Sequence, residues 1–222
     1  LDEQLLSGDS MTPGGPINLS PDVRFVVESS SQQQWRIGAL GTYTGDGWTR
    51  IGVSRPYLNS LDGPPGTNRT VRQRYDLRTE ATGLPAASYP VGVQNVSTDA
   101  LEVTSTDTLA VEGSLPNGTN YTIESQVPTA TADELRNAGT QYPPSIQERY
   151  TSLPSDTVPE RVVNLTDQVT SESATPFDSA QAIESYLEDT KEYSQNVSAP
   201  SGTMADGFLF EMDAGYCTYY AG

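Results

Sequence analysis

Between residues 22 and 127, apolar side chains recur at alternate positions in short runs broken by turn residues, the pattern of half-buried strands. "DVRFVVES" is short and β-branched, and "TVRQRYDLR" alternates around Val71, Tyr75 and Leu77. "YPVGVQNV", "ALEVTST", "TLAVEG" and "NYTIESQV" follow at close spacing, divided by turns such as Pro116-Asn117-Gly118. In "WRIGALGTYTGDGWTR", Trp35, Ile37 and Ala39 fall on one alternating face. The chain then turns at Thr44-Gly45-Asp46-Gly47 and resumes at Trp48, which predicts a hairpin. "LDGPPGTNRT" reads as a long loop, and the succession of short strands predicts an antiparallel sandwich.

From Thr131 the period lengthens. "TADELRNAG" has an N-cap at Thr131, Glu134 three residues on and a stop at Gly139, and "PPSIQERYTSLP" is a short helix bounded by prolines. "TVPERVVNLTDQVT" spaces Val158, Val162, Leu165 and Val169 as a helical stripe. In "TPFDSAQAIESYLEDT" Thr175 caps, Pro176 fits the first turn, Asp178 favours the dipole, and Phe177, Ala180, Ile183 and Leu187 form the expected buried face. The chain therefore divides into an extended lead-in around "TPGGP" (1–21), a β-rich domain (22–130) and a helical region (131–222), an α+β protein with two modest cores.

Composition narrows the function. Lys plus Arg is 12 against 29 Asp plus Glu, a net charge of −17, and Lys191 is the single lysine. The acids are dispersed rather than gathered in a tail. Together with abundant Thr and Ser, this is the surface chemistry of a salt-loving archaeon, where carboxylates hold hydration and salt screens their repulsion. Nucleic acid and anionic membranes are poor partners, since both repel such a surface. Asn-x-Ser/Thr sequons at Asn18, Asn68, Asn95, Asn117, Asn120, Asn164 and Asn196 fit an exported glycoprotein. No run is long and apolar enough for a membrane span, and "LDEQLLSGDS" reads as the start of an excised segment.

One cysteine and no histidine exclude a disulfide framework and zinc sites of the usual kind. "TYTGDGW" lacks the repeated oxygen ligands of a calcium loop, and "GTYTGDG" lacks the Lys-Ser/Thr of a phosphate loop, so no metal or cofactor is expected. Glu188-Asp189 reads as a solvated helix end, and Trp35 and Trp48 as core rather than a ligand-stacking pair. Cys217 stands apart. Asp213 and Gly215 precede it and "CTYYAG" continues with helical spacing, which places the sulfur at a helix N-terminus, where unpaired N–H groups favour thiolate. A cysteine nucleophile also needs a base and a group to orient it, and with no histidine these 222 residues cannot complete that chemistry.

The strings "LP" (153–154), "PERVVNLTDQVT", "TPFDSAQAIESYLEDTKEYS" and "DGFLFEMDAGYCTYYAG" resemble the front half of the transglutaminase-like core, a papain-like cysteine superfamily, in its membrane-anchored bacterial and archaeal branch. "WRIGALGTYTGDGWTR" is similar to a Trp-Arg…Tyr-x-Gly-x-Gly-Trp element upstream of the core in that branch. The resemblance implies that Cys217 is the nucleophile, that Gly215 and Tyr216 form the turn into its helix, and that Phe208 and Phe210 pack before that turn. The family's catalytic His and Asp lie downstream of the Cys helix, on strands outside this sequence. The resemblance thus implies a cysteine enzyme acting on protein or peptide through a thioester, anchored at the outer face of a membrane, of which this fragment is itself inactive. With the core sheet missing, the face of the Cys217 helix carrying Tyr216, Tyr219 and Tyr220 lacks that cover, and the last residues are expected to be held by packing on the preceding helices, by a partner chain, or poorly. The rival readings are a non-catalytic cell-surface β module for binding or spacing and, more remotely, a surface-layer structural protein.

Overall fold

The structure, a computed structural model, describes residues 10–50, 52, 54–58, 60–151, 153 and 157–222. Its strands are Ser10–Met11 (β1), Phe25–Ser29 (β2), Thr42–Tyr43 (β3), Trp48–Thr49 (β4), Ser54–Pro56 (β5), Asn68–Leu77 (β6), Ala81–Leu84 (β7), Pro90–Gln94 (β8), Leu101–Thr104 (β9), Leu109–Leu115 (β10), Asn120–Pro128 (β11), Glu192–Tyr193 (β12) and Ala214–Gly215 (β13). The helices are Ala132–Asn137 (α1), Pro144–Tyr150 (α2), Glu160–Val169 (α3), Pro176–Thr190 (α4), Met204–Phe210 (α5) and Cys217–Ala221 (α6). Positions 1–9 of the expected lead-in, and Pro154 of the "LP" pair, lie outside the described residues.

Two four-stranded sheets, in the orders β2-β6-β11-β8 and β5-β9-β10-β7, form the expected sandwich. Strand β6 turns Val71, Gln73, Tyr75 and Leu77 inward and exposes Arg72 and Arg74, the two-residue period of a pleat. Its antiparallel register with β11 sets Tyr75 opposite Tyr121, rings stacked at 4.8 Å, and Gln73 opposite Ile123. Leu84, Leu101, Val103, Leu109 and Val111 of the facing sheet close this first core. The fully buried Gln73 is satisfied, its Nε2 donating to the Val71 carbonyl at 2.7 Å and its Oε1 accepting from the Ala87 N–H at 2.9 Å. Trp35 meets Tyr75 edge-on at 5.9 Å, as core. Around it, however, the chain forms only a bridge, Arg36 to Ala86, in place of the alternating strand expected over 35–39. The short strands β5 and β7 have no counterpart in the pattern read from the sequence; three and four residues are too few to display a period.

Burial raises the phenol pKa values of Tyr75 and Tyr121 above the usual value. A phenol held protonated in the fold but released in the unfolded chain at its ordinary value, about 10, stabilises fully below that value. That stability is lost as pH rises toward the folded value. The urea midpoint is therefore expected to hold up to roughly pH 9 and to fall between about pH 10 and 11, whereas an unchanged midpoint at the upper pH would contradict the burial of these rings.

The second core does not respect the linear order of the chain. Ile17 and Tyr43 from the N-terminal region join Met204, Phe208, Met212, Tyr216 and Tyr219, with Trp48, Val158, Leu187 and Val197 packed around them. Residues 10–17, expected as a lead-in, are extended but built in: β1 pairs with β4, which pairs with β3, and the Ile17 N–H donates to the Gln195 carbonyl at 3.0 Å. The 44–47 turn closes as a hairpin through Thr44 N–H to the Gly47 carbonyl at 2.9 Å, Gly45 taking φ +93°.

Helix α1 carries the full capping box of Thr131 and Glu134, and α4 starts with Thr175 Oγ1 accepting from the Asp178 N–H at 3.2 Å and Pro176 in the first turn. On α4 the expected face is only partly realised. Leu187 packs on the second core and Phe177 lies under the Arg136 guanidinium at 5.3 Å, but Ala180 is exposed and Ile183 is 38% exposed. The helix packs chiefly on α1 and α3, which offer a single buried residue between them, Val162, so no deep apolar surface meets the middle of the stripe.

Candidate active site

The approach to Cys217 is built by three local devices. The first is the parallel pair β12 and β13, in which Glu192 N–H donates to the Asp213 carbonyl at 2.9 Å and Ser194 N–H to the Gly215 carbonyl at 2.8 Å. The second is Gly215 itself: a Cβ there would stand 2.6 Å from Phe208 Cε2 and 3.0 Å from Tyr219 Cβ, so only glycine lets the backbone pass this close. The third is Lys191, whose Nζ donates to the Leu209 and Met212 carbonyls at 2.9 and 2.5 Å, tying down the end of α5. Desolvation lowers the Lys191 pKa, with Asp213 acting against the shift. The one lysine of the chain sits where a compact ammonium must reach two carbonyls at once.

Helix α5 is held from the other side. Asp206, 7% exposed, accepts both arms of the Arg161 guanidinium from α3, and that hydrogen bonding holds its carboxyl below the usual carboxylate range. The same guanidinium lies 4.6 Å from the Phe210 ring centre and 3.9 Å from Glu211. This clamp joins "PERVV" to "DGFLF", two of the strings in which the sequence resemblance resides.

Cys217 is the first residue of α6 and its side chain is exposed. Thr218 and Tyr219 behind it are buried, as is Tyr216 before it. Of the expected ways of holding these last residues, packing on the preceding helix is the one seen: Tyr216 is 2% and Tyr219 3% exposed, and Tyr220 is half-buried. The cover comes from Phe208, 5.5 Å from the Tyr219 ring, and from the N-terminal segment, which donates the Gly14 N–H to Tyr216 Oη at 3.1 Å and accepts Tyr219 Oη–H on the Gly14 carbonyl at 2.6 Å. Burial pushes the Tyr219 pKa up to about 12. Tyr193 of β12 remains 60% exposed and stacks on Tyr220 at 6.3 Å, on the same side of α6 as Cys217 by helical spacing. Phe208 lies in the second core as the resemblance implies, whereas Phe210 is 41% exposed. Lys191, the Arg161–Asp206 clamp and Gly14 were not singled out by reading the sequence; the isolated lysine and the Gly14-Gly15 doublet were the available signals. Among the described residues no group of His, Cys, Asp and Glu could hold a metal ion.

The sandwich and the helical region that carries Cys217 each match a known family. Residues 163–222 match the model of the transglutaminase-like superfamily. Residues 5–132, more than half of the chain, match the TgpA N-terminal domain model, and the chain belongs to that family. It is 30% identical over 235 residues to the uncharacterized protein YebA of Bacillus subtilis (strain 168), an alignment that covers 94% of this chain and 31% of the relative. The chain thus spans about a third of the length of that curated relative. Two crystal structures of the periplasmic domain of TgpA from Pseudomonas aeruginosa share the fold at 18% identity, each match covering 96% of this chain. One has a TM-score of 0.68 over 72% of the TgpA chain, and the other, bound to ethylmercury, 0.58 over 74%.

Proposed function

We propose that this chain is the extracellular front portion of a transglutaminase-like cysteine enzyme in which Cys217 is the nucleophile. The observation that carries the reading is the exposed Cys217 at the first residue of α6, on a base of buried Tyr216 and Tyr219, inside the transglutaminase-like match. In the reaction the sulfur bonds to the acyl carbon of a protein or peptide amide. The carbon–nitrogen bond breaks and the amine leaves with a proton, giving a thioester that water or a second amine then resolves. No histidine to relay the proton is present in these 222 residues; on this reading further chain supplies it, as it does any membrane anchor. Among the described residues no helix is long and apolar enough to cross a membrane. The dispersed acidic surface, net charge −17, suits work in high salt at the outer face of a cell.

The test uses the full-length parent. Cys217→Ala is expected to abolish both amine incorporation into a protein acceptor and amide hydrolysis, while the unmodified 222-residue chain takes up iodoacetamide or a mercurial at one site and turns over nothing. Activity retained by Cys217→Ala in the parent would refute the assignment. The complete lack of histidine keeps one rival in play, a non-catalytic cell-surface β module. A parent with no amide-directed activity at all would favour that rival.

A further inference from the structure

We infer that residues 10–17 are a strap that positions the Cys217 helix, with Gly14 gripping the phenols of Tyr216 and Tyr219. This deepens the proposed function, and it rests on that reading only in taking Cys217 as the reacting group.

The strap meets the site at both flanks. At one, Gly14 donates its N–H to Tyr216 Oη at 3.1 Å and accepts from Tyr219 Oη at 2.6 Å, across 202 and 205 positions of sequence. At the other, Ile17 is 6% exposed in the second core and its N–H reaches the Gln195 carbonyl at 3.0 Å, just past the β12 strand that pairs with Gly215. Upstream, β1 pairs with β4, and Gly47 is required there because any Cβ would run into the Met11 carbonyl oxygen. The same hairpin sends the Gly45 carbonyl to the Met204 N–H at 2.9 Å, seating the first turn of α5. The "TYTGDGW" string, read from the sequence as a hairpin turn, thus has a mechanical role.

Tyr216 and Tyr219 tie α6 to the rest of the chain at long range. The two phenols sit one residue before and two residues after Cys217, on the buried side, while the thiol faces out. Fixing them fixes the peptide planes at the sulfur's own residue. Gly14 and the two tyrosines are therefore positioning residues, and a segment of the TgpA N-terminal family region is part of the thiol's seat.

The experiment compares Tyr219→Phe, Gly14→Pro and Gly14→Ala in the 222-residue chain. The readouts are amide hydrogen exchange at Tyr219 and Tyr220 and the rate of Cys217 alkylation by iodoacetamide between about pH 6 and 9. Tyr219→Phe deletes the hydroxyl, and Gly14→Pro deletes the N–H. Each is expected to speed exchange at those two amides roughly two- to tenfold, the worth of one hydrogen bond, and to displace the alkylation pH profile. Gly14→Ala keeps both bonds, its Cβ meeting open space, and is expected to match the parent chain in both. Unchanged exchange and an unchanged profile in Tyr219→Phe would overturn the inference, as would a Gly14→Ala variant as disturbed as Gly14→Pro. Tyr219→Phe decides alone if the proline variant does not fold. Neither readout depends on turnover, so a parent that stays active as Cys217→Ala would remove the function reading and leave the strap standing.

Discussion

Tyr121→Ala is expected to cost about 3–5 kcal/mol, the range for deleting a large buried aromatic, and so to lower the urea midpoint steeply with the slope unchanged. Tyr121 is fully buried at the centre of β11, stacked on Tyr75. Tyr75 in turn meets Phe25 at 5.6 Å and Trp35 at 5.9 Å, so the truncation opens a void against a four-ring cluster rather than at an edge. The hydroxyl contributes little, since its contact with the Pro85 carbonyl is long at 3.4 Å. Tyr121→Phe is accordingly expected to stay within roughly 1 kcal/mol of the parent. A domain has only about 5–15 kcal/mol to lose, so the alanine variant gives up a large share of it. A loss below about 1 kcal/mol for alanine would mean that the sandwich does not close on this stack.

The second large effect belongs to the site. Gly215→Ala places a methyl group 2.6 Å from the Phe208 ring and 3.0 Å from Tyr219 Cβ. Both neighbours are 3% exposed and cannot retreat into solvent. Overpacking of this kind costs about 1–3 kcal/mol. Here the strain falls on the residue two before Cys217, so hydrogen exchange should rise first in β13, α5 and α6 while the sandwich stays protected. The companion variant Phe208→Leu, which makes room, should return part of the loss when combined with Gly215→Ala. A double variant that is simply the sum of its parts would count against the contact.

Much of the fold is legible in the chain because its information is local. The alternation in "TVRQRYDLR" and "NYTIESQV", the Thr131–Glu134 box and the Thr175-Pro176 start of α4 each lie within one turn or one strand and match the structure. Of the candidate site, the helix start at position 217 was legible. The strings around "GYC" pointed to Cys217, and the structure gives it an exposed position at a helix start. What escaped was everything held at long range. The α6 tyrosines pack on the preceding helix, one of the expected alternatives, but the rest of their cover comes from Gly14 and Ile17, whose sequence carries no period and whose partners lie some two hundred positions away. Ile183 shows the opposite error: the helical stripe is present, but the neighbours that would bury it are too slight.

The Gly14–tyrosine grip also orders events in time. Synthesis at roughly 5–20 residues per second delivers the strap tens of seconds before its phenol partners. The sandwich is built from β2 and β5 to β11 and can form first, while Ile17 and Tyr43 wait uncovered. Tyr216 and Tyr219 thus lock a segment made some two hundred positions earlier, so a chain stalled short of Tyr216 would carry a finished sandwich and an open latch.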